Sequence, residues 1–355
     1  MAKLRKTLPK DFQELLDKGD MEQIKAVLEK CELYAYSGNS SKDTALFFNN
    51  IPDELVRYLV LEKGMDINYK NTYGSTALQH QIIHRGKNLE LFIELGADIQ
   101  AEKNLVKETP LHDAANFHNE EAVRLLLSHG AKMDAKNFRG ENPLETMLHQ
   151  CMNIDIEKTA VISKIFLEAG LEITDKMKTY VKNIGENFEF HKDNFNPEYL
   201  ESTENALNQL YELFSVPPVP SINRHDGKSK ITVIKGPWYK QHDALWKILV
   251  PGSGHAKTIQ GEVIRISGKI AYEVMDNGGI NWDSDYRKMV KFLVKCFAAE
   301  NPLSDKEQEE AEKIAQLISR FGQADNEPER LMELAVRWVE QNTEPIELGE
   351  VEYRR

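Results

Sequence analysis

Thr109-Pro110-Leu111-His112-Asp113-Ala114-Ala115, followed by Val123-Arg124-Leu125-Leu126-Leu127-Ser128-His129-Gly130-Ala131, is the stretch that decides the fold. Asn119 stands before Glu120 and the run Ala122, Val123, Leu125, Leu126 and Leu127, the position at which a side-chain oxygen caps the free amides of a helix. Gly130 follows the run, where a left-handed residue ends a helix at least cost. The frame recurs on both sides. Thr44, Thr76, Thr109 and Asn142 form one column at spacings of 32, 33 and 33 residues, and Gly64, Gly96, Gly130 and Gly170 form another at 32, 34 and 40. A unit of this length is a short helix pair plus a turn, whose apolar face stays wet until a neighbour stacks on it.

The TPLHxAA opening and the VxLLLxxGA close resemble the ankyrin-repeat consensus. The resemblance implies a solenoid with β-turn hairpin tips, and it makes His112 a turn-stabilising bridge between repeats rather than a catalytic group. Phe47, Gln79 and Glu145 replace that histidine in the other repeats, while Thr76-Ala77-Leu78 and Glu94-Leu95-Gly96-Ala97-Asp98-Ile99 keep the frame. A first, capping repeat is expected over 9–40, where Gly19-Asp20 precedes the helical run Ile24, Val27 and Leu28.

Ankyrin repeats hold partner proteins on their tips and on the exposed face of their inner helices, which line a concave groove. Carried over by position, the resemblance gives Lys70, Thr72, Tyr73 and Ser75 on one tip. It gives Lys103, Leu105, Val106 and Glu108 on the next, and Lys136, Phe138, Arg139 and Glu141 on the third. The inner helices add His84, Asn116 and Phe117. Tyr73, Phe138 and Arg139 are residue types that dominate interface energies when buried, and Leu105 and Val106 are apolar where a solvated turn prefers polar residues.

Composition narrows the class further. A chain of 355 residues exceeds one ordinary core and fits two domains. Its formal charge of −12 disfavours generic binding to nucleic acid or to an anionic membrane. Cys31, Cys151 and Cys296 are far apart and in no CxxC pair, which points to a reducing compartment without structural zinc. The basic N-terminus Met1-Ala2-Lys3-Leu4-Arg5-Lys6 leads into no apolar run, so no signal peptide is read. No stretch has the roughly 18 apolar residues of a membrane helix. The expected chain is cytoplasmic, with a protein partner and with no nucleic acid, membrane, metal or small-molecule cofactor.

After Gly170 the repeat fades. Helices over 174–192 and from Asn196-Pro197-Glu198 through Leu200, Leu207, Leu210, Tyr211 and Phe214 are read as the C-terminal cap that a solenoid needs, closing an ankyrin domain at 1–215. Residues 216–235, with Val216-Pro217-Pro218-Val219-Pro220, read as a linker, in which Ile231-Thr232-Val233-Ile234 is a short strand or an extended docking segment. Five amphipathic stripes then predict a small helical bundle over 236–345, before a tail at 346–355. They start at Trp238, Ile259, Tyr286, the capping box Ser304-Asp305-Lys306-Glu307 and Leu331, the fourth running to Phe321. The fold class is therefore all-α. Within 238–293, QHxxLWxxLVPxSG, QGEVIRISGKI and NGGINWDxDYRKM resemble a region of uncharacterised bacterial proteins that sometimes follows ankyrin repeats, and no activity comes with it.

Several groups in the second half imitate chemical sites. Pro251-Gly252-Ser253-Gly254-His255-Ala256-Lys257-Thr258 mimics a phosphate-binding loop, but proline and alanine stand where glycines are needed. It reads as a turn capped by Ser253. Asn281-Trp282-Asp283-Ser284-Asp285 spaces its oxygens like a calcium loop, yet Tyr286 and Phe292 replace the required glycine and glutamate. Asn281 or Asp283 then reads as a helix cap. Glu262, Arg265, Lys269 and Glu273, three and four apart, read as a solvated helix face. His242 sits on an apolar stripe, as a hydrogen-bonded core histidine does, and with His255, Glu262 and Asp283 it is the one group that could converge on a cleft. No catalytic residue is assigned. The leading reading is a binding or adaptor protein whose helical module supplies a second contact or oligomerises. The alternative is an enzyme or effector with its active site in that module.

Overall fold

The computed structural model describes residues 3–321 and 327–355. Met1, Ala2 and the side chain of Phe321 lie outside the described residues. The chain is all-α, an ankyrin solenoid followed by a helical bundle, and it divides into two compact units. One comprises Met1–Gly185 with Glu198–Pro218, the other Glu186–Pro197 with Val219–Arg355.

The first unit opens with a feature that the repeat frame does not contain. A strand β1 (Arg5–Thr7) pairs in parallel with β2 (Cys31–Tyr36) across helices α1 (Phe12–Lys18) and α2 (Met21–Leu28). Asp20 caps α2 by accepting from the Gln23 amide at 3.0 Å. In the next repeat Thr44 is followed only by a single tight turn, Ala45–Phe47, before α3 (Asp53–Arg57). Phe48, already extended at ψ 146°, ends the turn.

Three regular repeats follow: α4 (Ala77–Ile83) with α5 (Leu89–Glu94), α6 (Pro110–Asn116) with α7 (Glu120–Ser128), and α8 (Pro143–Gln150) with α9 (Ile156–Glu168). Each inner helix starts in a capping box, Thr76 with Gln79, Thr109 with His112 and Asn142 with Glu145, which satisfies amides that have no partner inside the helix. Leu78, Ile82, Phe92, Leu111, Ala114, Val123, Leu126, Leu144 and Met147 are almost wholly buried between the pairs.

Polar ties then fix the stacking register. His112 Nδ1 accepts from the Thr109 amide at 3.2 Å, so the neutral ring carries its hydrogen on Nε2. That edge donates to the carbonyl of Glu141, 29 residues on, at 3.1 Å. Gln79 Nε2 makes the same reach of 29 residues to the Glu108 carbonyl at 3.0 Å, and Glu145 accepts across 29 residues from the Thr174 hydroxyl at 2.9 Å. Two of the three substitutions that look degenerate in sequence, Gln79 and Glu145, therefore keep a bridge, and Phe47 does not. A second set points backwards: Asn88 Nδ2 donates to the Ile51 carbonyl at 3.0 Å and Asn119 Nδ2 to that of Ile82 at 2.9 Å, each over 37 residues. Buried backbone carbonyls are costly to leave unpaired, at about 1–3 kcal/mol, so these ties hold one register.

Helices α10 (Asp175–His191) and α11 (Pro197–Phe214) follow. The second unit contains α12 (Trp238–Leu249), α13 (Ile259–Ala271), α14 (Ser284–Phe297), α15 (Asp305–Phe321) and α16 (Glu327–Gln341). The central α13 packs against α12, α14 and α16, around Val263, Ile266, Met289, Leu293, Leu334 and Trp338. Encirclement overturns one expectation from sequence. Glu262, Arg265 and Glu273 do not form a solvated face but are 0%, 1% and 2% exposed, with Lys269 half-buried. Segments read as linker and tail are also held in place. Ile231 is buried and its amide donates to the Thr343 carbonyl at 2.8 Å. The Ile259 amide donates to Ile346, and Tyr353 is buried beside Glu262.

Candidate partner-binding surface

The repeat tips are closed by short-range bonds to asparagine. Asn71 Oδ1 accepts from the amides of Tyr73 and Ser75, both at 3.0 Å, and Asn137 Oδ1 accepts from Arg139 at 2.9 Å and Glu141 at 3.1 Å. Asparagine is favoured in turns for this self-capping. The middle tip is one residue longer, closing from Lys103 N to Glu108 O at 3.0 Å. Neighbouring tips are tied through the backbone, Thr72 N to Ser41 O at 2.9 Å and Phe138 N to Val106 O at 3.0 Å. Gly74, at φ 78°, allows one such approach, since a Cβ there would stand 2.6 Å from the Asn104 backbone nitrogen.

With the backbone engaged, the large apolar side chains at the tips point to solvent. Tyr73 is 62% exposed, Leu105 88% and Phe138 57%. The Arg139 guanidinium lies over the Phe138 ring at 5.3 Å. At the inner-helix ends His84 and Phe117 are exposed, and Arg85 Nη2 fixes the second of these turns by donating to the carbonyls of Phe117 at 3.2 Å and His118 at 3.1 Å. Thr72 is exposed, while Ser75, Val106 and Asn116 are half-buried.

The structure withdraws several of the charged candidates from this surface. Glu141 is 2% exposed. Its carboxylate accepts from the Tyr180 hydroxyl at 2.5 Å and meets His149 at 3.0 Å and Lys176 at 3.2 Å. Burial pushes its pKa up, but Tyr180 and Lys176 outweigh this and hold it below the ordinary carboxylate value. Lys103 pairs with Asp113 beneath the middle tip, its side chain 14% exposed, and Glu108 lies beside it at 3.5 Å. Burial raises Asp113 to about 6 against the pull of Lys103. Lys136 and Lys70 stay exposed, although Lys136 holds Glu145 at 3.0 Å and Lys70 donates to the Glu102 carbonyl at 2.7 Å. Tip positions alternate between outward and inward side chains, and sequence position alone could not separate the two. What remains outward is Tyr73, Leu105, Phe117 and Phe138 together with Lys70, Thr72, His84, Lys136 and Arg139.

One exposed apolar element was missed as a candidate. The connection between α8 and α9 carries Met152 and Ile154, 62% and 76% exposed. The available signal was two apolar residues in an otherwise polar connection.

The imitation sites of the second unit resolve locally. His242 is 2% exposed, its Nε2 3.0 Å from Ser267 Oγ, and burial lowers its pKa to about 4. It is a core histidine. His255 Nδ1 does reach Glu262, at 3.2 Å, whereas Asp283 caps α14 and pairs with Arg355 at 2.8 Å. The cap of α13 is Thr258, which accepts from Gly261 N at 3.1 Å, and not Ser253. Among the described residues no group of three or more His, Cys, Asp or Glu side chains could hold a metal ion, and no helix is long and apolar enough to cross a membrane.

Comparison with known proteins agrees with the repeats. Residues 43–137 match the family model for ankyrin repeats in three copies. Two Fowlpox virus proteins named as ankyrin repeat proteins, FPV031 and FPV024, are 32% identical over 139 residues and 27% identical over 226. Those alignments cover 38% and 61% of this chain but only 40% and 35% of the viral proteins. A Dictyostelium discoideum protein named as a serine/threonine-protein kinase is 30% identical over 118 residues, 31% of this chain and 13% of its own length. The chain thus spans well under half of these relatives. The similar viral proteins do not bear on the bacterial resemblance of 238–293. Ankyrin repeats generally mediate protein–protein interaction.

Proposed function

We propose that the chain is an adaptor that captures a partner protein on the surface formed by Tyr73, Leu105, Phe117 and Phe138. The observation that carries this reading is the division of labour within the repeats. Lys103, Glu108, Glu141 and Glu145 are paired inside the array, so three large apolar tip side chains and Phe117 stand outward on a backbone already fixed by hydrogen bonds. Pre-ordered aromatic residues lose little entropy on binding and form the centre of an interface. Thr72, His84, Lys136 and Arg139 supply a polar rim. The second unit provides a further contact through exposed Tyr272, Met275 and Ile280. A cytoplasmic setting accords with three unpaired cysteines.

The test is affinity capture from host-cell lysate with mass spectrometry, wild type beside a Tyr73→Ala, Phe117→Arg, Phe138→Arg variant of unchanged circular dichroism. Each lost anchor weakens binding by about 2 kcal/mol, roughly 30-fold, so the partner is held by wild type and absent from the variant. A partner retained equally by both, or none captured by either, refutes the proposal.

A further inference from the structure

The second unit contains a cavity of about 350 Å³ between the loop Arg224–Gly227, the end of α12 and the residues leading into α13. Its walls come from segments that the sequence left without structure, the supposed linker and the turn after Pro251. His225 lines it with a ring only 11% exposed. Nδ1 accepts from the Gly227 amide at 3.0 Å, so the neutral imidazole carries its hydrogen on Nε2. That atom is buried and has no hydrogen-bond partner among the described residues, an arrangement that is costly unless a ligand or solvent meets it.

The other lining groups define what would meet it. Lys257 packs across Gly227, whose Cβ, if present, would lie 3.3 Å from Lys257 Cβ. No carboxylate among the described residues pairs with the Lys257 ammonium. Arg224 has its fork turned away, Nη1 donating to the carbonyls of Lys247, at 2.8 Å, and Val250, and Nη2 to that of Phe190. Its nearest carboxylate, Asp193, also lines the cavity, 3.6 Å from Nε, but is 70% exposed and so largely solvated. Arg224 therefore contributes a fixed, weakly neutralised positive charge but not the two-pronged contact that suits a planar carboxylate. The remaining donors, His225 Nε2–H, the Lys257 ammonium, the Thr258 hydroxyl and the Asn194 amide, sit on separate side chains, which suits the several oxygens of a phosphate group better than a planar carboxylate. Ile248, Leu249 and Pro251 give one side an apolar wall for an organic substituent.

We propose that this cavity binds a small phosphate monoester, held by His225, Lys257 and Thr258 in the field of Arg224. The experiment is titration calorimetry with ³¹P NMR on the full chain, using glycerol 3-phosphate, inorganic phosphate and acetate at matched ionic strength. Glycerol 3-phosphate binds saturably and more tightly than inorganic phosphate, and acetate binds least. Lys257→Ala, a change on an exposed side chain, weakens the ester at least about tenfold, the loss of one charge-assisted hydrogen bond. His225→Ala weakens it too, and Lys291→Ala on α14 leaves it unchanged. The inference is overturned by non-saturable binding, by wild-type affinity in both cavity variants, or by acetate or inorganic phosphate matching the ester.

Discussion

Breaking the Glu262–Arg265 pair separately from each side, and then removing both, measures what the burial of α13 means energetically. Arg265 donates to Glu262 through Nε at 2.8 Å and Nη2 at 2.6 Å, with both side chains essentially inaccessible. Glu262 also accepts from the Ala256 amide at 3.0 Å and the Tyr353 hydroxyl at 2.8 Å. Glu262→Leu strands a buried guanidinium and those two donors, at the upper end of the about 3–5 kcal/mol typical of a buried pair broken from one side. Arg265→Met leaves a carboxylate still hydrogen-bonded to Ala256 and Tyr353, so its cost is nearer about 3 kcal/mol. The double variant removes both charges and leaves only neutral groups unpaired, the Ala256 and Tyr353 donors and the Arg355 carbonyl, about 2–3 kcal/mol in total. The expected coupling is therefore at least about 3 kcal/mol. Urea unfolding followed by tryptophan fluorescence is the assay, because Trp238, Trp246, Trp282 and Trp338 all lie in the second unit. Single-variant costs below about 1 kcal/mol, or coupling near the 0.3–0.5 kcal/mol of an exposed helix pair, would refute the reasoning. Such values would restore the solvated face read from sequence.

His112→Ala removes the tie to the Glu141 carbonyl and half of a capping box and is expected to cost about 2 kcal/mol. His112→Gln keeps the bridge that Gln79 makes one repeat earlier and costs much less, and thermal unfolding by circular dichroism separates the two. His242 is held neutral by burial, with a folded pKa of about 4 against an ordinary 6.5. The unfolded chain then binds more protons between these values, so stability is present above pH 6.5 and falls as pH drops toward 4. The loss is on the order of 3 kcal/mol, and urea midpoints of the second unit that fall equally in wild type and His242→Phe would disprove it.

Much of the first unit was legible because its determinants are local and repeated. The caps Thr76, Thr109 and Asn142, the breaker Gly130 and the apolar runs act within a turn or two of their own position, so the 33-residue frame displays them directly. The exceptions are instructive. Phe47, Gln79 and Glu145 look like erosion of the motif, yet Gln79 and Glu145 carry the same bridge across 29 residues, because a carbonyl or a hydroxyl can be met by more than one chemistry. Strand β1 was not legible, since a three-residue edge gains its meaning only from pairing with β2.

By itself the sequence determined most of the helices and their amphipathic faces, and with the repeat it determined the solenoid. Only the tertiary structure decided which charges face water. Glu141 and Tyr73 are both tip residues, yet one is drawn under Tyr180 and the other stands 62% exposed. Glu262 and Arg265 have the spacing of a surface pair, yet neighbours on several faces of α13 enclose them. Helical periodicity records one stripe of burial per helix, whereas the burial of a charge depends on how many neighbours surround that helix and what partners they bring, and those neighbours lie far away along the chain.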